Sequence, residues 1–223
     1  MWDNFNIKPF PAETIVYRDG EYCPELSTLP NEVINKNYDL PIHIIYVGEI
    51  YGEKSLYIDV NTPNQKVCLS VNIKNKKPAF LNIFIKNTGK NSKILGHILL
   101  DNYDNLKYKC IAEHISANTG IFLQNKLIAN KKSISKLSGV AIINKNCNDC
   151  NSDIGFTAIA ARDAKIEFEP AQRISSVPEN AGHSASIYSP KPIQVQYLRE
   201  SGLGIIEIDE IMREAFINDF SLF

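Results

Sequence analysis

The chain has almost no net charge: 24 Lys and Arg against 25 Asp and Glu leave −1 at pH 7. That gives no global electrostatic case for binding nucleic acid or an anionic membrane. It has no apolar run near the roughly 18 residues that a membrane-spanning helix needs. Met1-Trp2-Asp3-Asn4-Phe5 lacks a basic region followed by an apolar core, so a secretory signal is not expected. Five cysteines are an odd number. They argue against a complete disulfide framework and for a reducing, cytoplasmic location. A phosphate loop is missing, because Asn87-Thr88-Gly89-Lys90 lacks the first glycine at the needed spacing. The chain is therefore not expected to hydrolyse ATP by itself. No Ser-His-Asp arrangement is readable, and Gly182-His183-Ser184 has no nucleophile-elbow pattern.

What is present is a globular balance of 44% hydrophobic and 22% charged residues over 223 positions. That length suits one large domain, or one domain with a small appendage, and can bury a substantial core. Residues 1–12 are polar with two prolines and read as irregular. Glu13–Arg18 reads as a strand, Asp19-Gly20 as a two-residue hairpin turn, and Glu21-Tyr22-Cys23 as the return. Strand patterns follow at Ile42–Val47, Ser55–Val60, Lys66–Ile73, Phe80–Lys86, Ile94–Leu100 and Leu106–Ile115. Before residue 190 only Pro30–Asn37 has a weak helical pattern.

From Gly120 the strands read as shorter: Ile121–Leu123, Leu127–Ala129, Ser133–Ser135, Val140–Ile143, Thr157–Ala160 and Lys165–Phe168. Short strands with Asn and Gly at the corners suit a solenoid whose coils stack on one another. A β-sandwich fits the same spacing, and no exact repeat decides between them. After Phe168, Pro170 and Pro178 exclude helix. The small-residue run Ala181-Gly182-His183-Ser184-Ala185-Ser186 reads as a polar loop. Ser189-Pro190 then starts a helix that Gly202 ends. Ile208, Ile211, Met212, Ala215 and Phe216 form the apolar stripe of a second helix.

Candidate chemistry is sparse. Cys147 and Cys150 are the only close cysteine pair. A CxxC can hold a metal or an iron–sulfur cluster through thiolates, but one pair gives half a tetrahedral set. Cys110, His114, His183 or a second subunit would have to complete it. The alternative is a polar turn with two incidental thiols. His183 is either an iron ligand or an imidazole satisfied by local hydrogen bonds. His43 and His97, inside apolar strands, read as structural. Glu167 and Glu169 share one strand face. They read as a solvated surface rather than the acid–base pair of a glycan-cleaving β-helix enzyme.

The two ends carry a resemblance. Pro170, His183-Ser184-Ala185, Gln196-Tyr197-Leu198-Arg199-Glu200-Ser201-Gly202-Leu203 and Glu214-Ala215-Phe216 stand in the order found at the C-terminus of the Suf B/D family. These proteins are the scaffold subunits of iron–sulfur cluster assembly. Near the N-terminus, Val16-Tyr17-Arg18-Asp19-Gly20-Glu21-Tyr22-Cys23-Pro24-Glu25-Leu26-Ser27 resembles a D-type segment. The C-terminal likeness covers about 55 residues, far more than a lone short motif.

The resemblance implies a mainly β fold, a right-handed parallel β-helix with a small C-terminal α-helical subdomain. The chain is shorter than typical members, so the β-helix would lack coils from its middle. The implied division is an N-terminal extension with hairpin at 1–40, a β-helix core at 41–188 and the helices at 189–223. The implied function is that of a non-ATPase scaffold subunit. It would dock a SufC-like ABC-type ATPase through Val195, Leu198, Arg199, Leu203 and Met212, a helix-in-groove contact. Tyr197 and Phe216 would be packing residues, with Arg199 and Glu200 at the rim. A SufB-like subunit or a second copy would pair along the β-helix edge. A transient iron–sulfur cluster would form near His183, with Cys147 and Cys150 as a displaced ligand pair. B-type members follow this histidine with a glutamate, where this chain has Ser184. Their cysteine falls, counting back without gaps, at Gly155. The chain is thus nearer the D-type. The other implied reading is a degenerate D-like interaction module that holds no cluster.

Overall fold

The computed structural model describes residues 13–18, 21–28 and 41–218. The expectations for residues 1–12, for the Asp19-Gly20 turn and for Pro30–Asn37 lie outside them. Among the described residues thirteen strands and two α-helices follow in chain order, with a short 3-10 helix at Pro24–Leu26. The strands are β1 (Glu13–Arg18), β2 (Glu21–Tyr22), β3 (Ile42–Glu49), β4 (Gly52–Val60), β5 (Lys66–Asn75), β6 (Ala79–Asn87) and β7 (Lys93–Asn102). They continue as β8 (Asn105–His114), β9 (Gly120–Ala129), β10 (Ile134–Ile143), β11 (Asn151–Ala160), β12 (Lys165–Ile174) and β13 (Asn180–Tyr188). The helices are α1 (Pro192–Glu200) and α2 (Ile205–Asn218).

From β3 on, successive strands alternate between two sheets. One sheet has the order β2-β1-β3-β5-β7-β9-β11-β13 and the other β4-β6-β8-β10-β12. Every pairing is parallel except that of β1 with β2, which is antiparallel. Each coil is therefore one strand from each sheet, and the molecule is a β-solenoid. Cross-coil hydrogen bonds join residues 27, 29 or 31 apart.

The core is built from ladders of inward side chains. Ile15, Ile44, Leu69, Gly96, Leu123 and Ile154 are aligned across β1, β3, β5, β7, β9 and β11. Opposite them run Ile58, Ile85, Ala112 and Ala141. All but Gly96 belong to one continuous buried cluster. Asn64 and Asn91 hold the same corner of adjacent coils in the left-handed region (φ 64° and 62°), and the Asn91 amide donates to Asn64 Oδ1 across 3.2 Å. Asparagine tolerates that region because its short polar side chain bonds locally.

Several expectations need correction. Ile121–Leu123 and Leu127–Ala129 are one strand, β9. The polar stretch between them stays extended because inward Asn125 is satisfied: the Tyr108 hydroxyl donates to it (2.8 Å) and its amide donates to Gly155 O (3.0 Å). Ser133–Ser135 and Val140–Ile143 likewise merge into β10, where Gly139 leaves room for the Phe156 ring. The strand at Lys165 continues through Pro170, which β12 admits because it is an edge strand and needs no donor on its free side. The small-residue run is not a loop but most of β13, whose backbone groups pair with β11.

Helix α1 begins two residues later than Ser189-Pro190 suggests, with Pro192 in its first turn and Gln194 Oε1 accepting from Lys191 N (2.9 Å). Gly202 ends it at φ 87°. Helix α2 turns Ile208, Met212 and Phe216 inward. Phe216 packs with Leu99, Ile128, Ile159 and Tyr188, so α2 lies on the outer face of the eight-stranded sheet. Among the described residues no helix is long and apolar enough to cross a membrane.

Candidate functional site

Among the described residues nothing stacks on the last coil. Its strands, β12 and β13, each pair on one side only. The inward ladder Ile15–Ile154 ends in His183, the register partner of Ile154. Ile154 is 1% exposed and His183 is exposed. Side chains that would be core in any other coil are open here: Ile187 is 57% exposed and Ile174 43%. Parallel edges with unpaired N–H and C=O groups beside apolar side chains are a template for another strand.

The outer face of the same sheet carries a groove of about 540 Å³ between β7, β9, β11 and β13. Its lining includes His97, Phe122, Gln124, Asp153, Gly155 and Ser184. Gly155 and Ser184 are direct cross-strand partners. A Cβ placed on Gly155 would stand 3.2 Å from Ser184 Oγ. The two positions that the Suf B/D resemblance assigns to a B-type cysteine and glutamate are therefore adjacent in space. Here both are small, and neither can ligate iron as those groups do.

Cys147 and Cys150 occupy the corner between β10 and β11, and both are buried. The Cys147 thiol donates to His114 O and the Cys150 thiol to Ser116 O, each at 3.3 Å. Burial, with Cys150 alongside, pushes the Cys147 thiol up. A thiol held protonated as a donor to carbonyls is in the wrong state to bind metal. The structure does bring His114 to the pair, as the spacing allowed. His114 Nδ1 lies 2.7 Å from Thr119 Oγ1, which lies 3.2 Å from Cys150 Sγ. Thr119 Oγ1 also lies 3.0 Å from Ser116 O, to which it can donate while accepting from His114 Nδ1. The His114 Nε2 is buried without a partner among the described residues, and burial pulls the imidazole pKa down to about 4. Among the described residues no group of three or more His, Cys, Asp or Glu is arranged to hold a metal ion. Cys110 is sealed in the core beside Tyr108, its thiol pushed up to about 12 by burial. His183 is on the open coil, and Ala181 of the same strand packs on the cysteine corner.

His43 donates or accepts at Ser70 Oγ (2.9 Å) on the sheet surface, in keeping with a structural role. Glu167 and Glu169 are paired with Lys136 at 3.2 and 2.8 Å on an exposed face.

The docking residues need one correction. Met212 is 7% exposed and belongs to the inward stripe of α2, so it cannot anchor a partner on the outside. Val195, Leu198 and Leu203 are half-buried and Arg199 is exposed. Tyr197 is 69% exposed rather than packed, whereas Phe216 is packed as expected. The most open apolar side chains of the helices are instead Ile206 (72%), Tyr197 and Ile193 (66%). Sequence periodicity could not separate these faces, because α1 is apolar on more than one side. No family model matches the chain, and a search of curated proteins finds no relative.

Proposed function

We propose that this protein is a non-ATPase scaffold subunit of a Suf-type iron–sulfur assembly complex, nearer the D-type. One observation carries the reading. Gly155 and Ser184, picked out from the sequence only by the resemblance, are cross-strand partners beside His183. Their 29-residue spacing is one coil of the solenoid, as for every β11–β13 pair, so what supports the reading is that the resemblance selects two positions one coil apart on adjacent strands. A parallel β-helix with a two-helix subdomain at its open end is also the architecture the resemblance implies. In this role the open edge of β12 and β13 pairs with a SufB-like subunit or a second copy. The helices dock a SufC-like ABC-type ATPase, whose ATP-driven dimerisation would reposition the interface that holds His183. A transient cluster would then draw its other ligands from the partner.

The burial of Cys147 and Cys150 as hydrogen-bond donors favours a second reading, an interaction module that never holds a cluster. Anaerobic pull-down of the tagged chain from its host, against a truncation ending at Ser189, tests the assembly role. An ABC-type ATPase should come down with the full chain and be lost with the truncation. Failure to recover it with the full chain would leave only the stand-alone module. Iron retained by the purified complex, and lost on His183→Ala, would favour the scaffold over the module.

A further inference from the structure

The groove on the outer face of the eight-stranded sheet contains an outward position with no side chain. Gly155 fills that position on β11, and four polar residues ring it. Asp153 and Thr157 stand two residues either way along the strand, and Gln124 and Ser184 are its partners on β9 and β13. A Cβ on Gly155 would meet Ser184 Oγ at 3.2 Å and the Leu123 carbonyl oxygen at 4.0 Å. Gly182, the β13 partner of Asp153, leaves a second gap. The Asp153 carboxylate leans over it, 3.1 Å from where a Cβ would stand. The Asp153 carboxylate, the Gln124 amide and the Ser184 hydroxyl make no hydrogen bond or ion pair among the described residues. Three unengaged polar groups thus border space that two glycines leave open.

The charges of the lining cancel. Asp153 supplies one negative charge and Lys126 one positive charge. The Lys126 ammonium already donates to Phe216 O at 2.7 Å. Burial, with Lys126 nearby, pulls the His97 imidazole below its ordinary value, so it is neutral at pH 7. The groove therefore favours neither a cation nor an anion. Its unengaged groups set the rest of the chemistry. A carboxylate only accepts, while an amide and a hydroxyl both donate and accept. A hydroxyl is the neutral group that can answer all three. Neighbouring positions of this face are about 5 Å apart across strands and about 7 Å apart along them, so several hydroxyls are needed on one compact frame. Beside them the lining is apolar. Phe122 is the β9 partner of Asp153, and Leu95 is the β7 partner of Phe122. A sugar ring meets these requirements together, with hydroxyls at its rim and C–H groups on its face.

We propose that this groove binds a neutral saccharide, with hydroxyls of one sugar ring on Asp153, Gln124 and Ser184 and its C–H face on Phe122. The lining holds a single carboxylate, where glycoside cleavage uses two. The site therefore recognises a sugar and breaks no bond in it. The inference stands on the groove alone and is independent of the assembly role.

Heteronuclear NMR of the isotope-labelled full chain, titrated in turn with D-glucose, D-galactose, D-mannose and N-acetyl-D-glucosamine, tests this. At least one sugar should shift the amides of Gln124, Gly155 and Ser184 saturably, with a Kd of about 1–10 mM, as suits a single ring in an open groove. Asp153→Ala removes the carboxylate, and Gly155→Val fills the gap. Each should weaken binding by at least about tenfold. Tyr57→Ala, on the other sheet, should leave it unchanged. Unaltered amide positions away from the groove confirm that each variant folds. No saturable shift with any of the four sugars overturns the proposal. Saturation by methylguanidinium chloride and by none of the sugars also overturns it, and leaves Asp153 as a cation site. So does sugar binding that survives either groove variant, or that shifts Tyr57 and Phe84 instead. None of these results bears on recovery of the ATPase in the pull-down, so the two readings fail separately.

Discussion

Lys126 Nζ donates to the carbonyl oxygen of Phe216 across 2.7 Å, and the same ammonium stands 5.0 Å from the centre of the Phe216 ring. The two residues are 90 positions apart, and this contact fastens α2 to the solenoid. The ammonium meets the negative end of the helix, where a cation is favoured. Lys126→Met keeps the apolar stem and removes the donor. The amides of α2 should then exchange with deuterium about ten to a hundred times faster, the equivalent of about 1.5–3 kcal/mol for a hydrogen bond to a charged group. Amides of β7 and β9 should change little. Equal acceleration throughout the chain would mean that α2 is part of the solenoid's cooperative unit and not fastened to it.

Two glycines should respond very differently to alanine. A Cβ on Gly89 would stand 2.2 Å from the Thr62 carbonyl oxygen of the coil below, and backbone cannot step aside. Gly89→Ala should cost about 2 kcal/mol or more, by forcing adjacent corners apart. Gly202 has φ 87° and nothing within 4 Å of a Cβ. Gly202→Ala should cost only about 1 kcal/mol, the conformational penalty of a left-handed residue. Urea titrations of both variants compare them. A larger loss at Gly202 would mean that the helical turn, not the corner, limits stability.

The sequence revealed coil-forming strands wherever apolar and polar residues alternate, as from Lys66 to Asn75. It hid them where inward positions are polar or absent. Asn125 breaks the pattern of β9 because its satisfaction comes from Tyr108 and from Gly155 of the next coil, which no local window contains. The stretch around His183 has no apolar alternation at all. Its strand exists because β11 supplies the backbone partners. The candidate site was legible in part. His183, Cys147 and Cys150 could be singled out by residue type, but only the fold shows that His183 ends a core ladder and that both thiols are sealed. The groove lined by His97, Phe122 and Asp153 draws on three strands and left no local signal.

The sealed thiols make a chemical prediction. Iodoacetamide attacks thiolates, and burial both blocks access and holds Cys147 protonated. In native protein Cys147 and Cys150 should stay unlabelled while half-buried Cys68 labels slowly, with all five cysteines reacting in urea. Peptide mass spectrometry reads the order. Rapid native labelling of Cys147 or Cys150 would show that the corner between β10 and β11 opens, and would return the pair to candidacy as iron ligands.

His114 should make the fold sensitive to mild acid. Burial holds its pKa near 4 in the folded protein, against an ordinary value of 6.5. Above pH 6.5 both folded and unfolded chains hold it neutral, and its contribution is fully present. As pH falls from 6.5 towards 4 the unfolded chain takes up a proton that the folded one refuses, so stability drops. At about 1.4 kcal/mol per pH unit, the loss attributable to this group approaches about 3 kcal/mol at pH 4. The chain itself suggests the control. One coil below, Asn87 is the register partner of His114 and bonds Ser92, five residues on, as His114 bonds Thr119. His114→Asn should therefore fit the corner without a group that titrates in this range. Urea midpoints measured from pH 7.5 to 4.5 should fall less steeply for His114→Asn than for wild type, with the curves converging or crossing in acid. Parallel curves would mean that His114 is protonated in the folded state after all, and its Nε2 would then need a partner such as an ordered water.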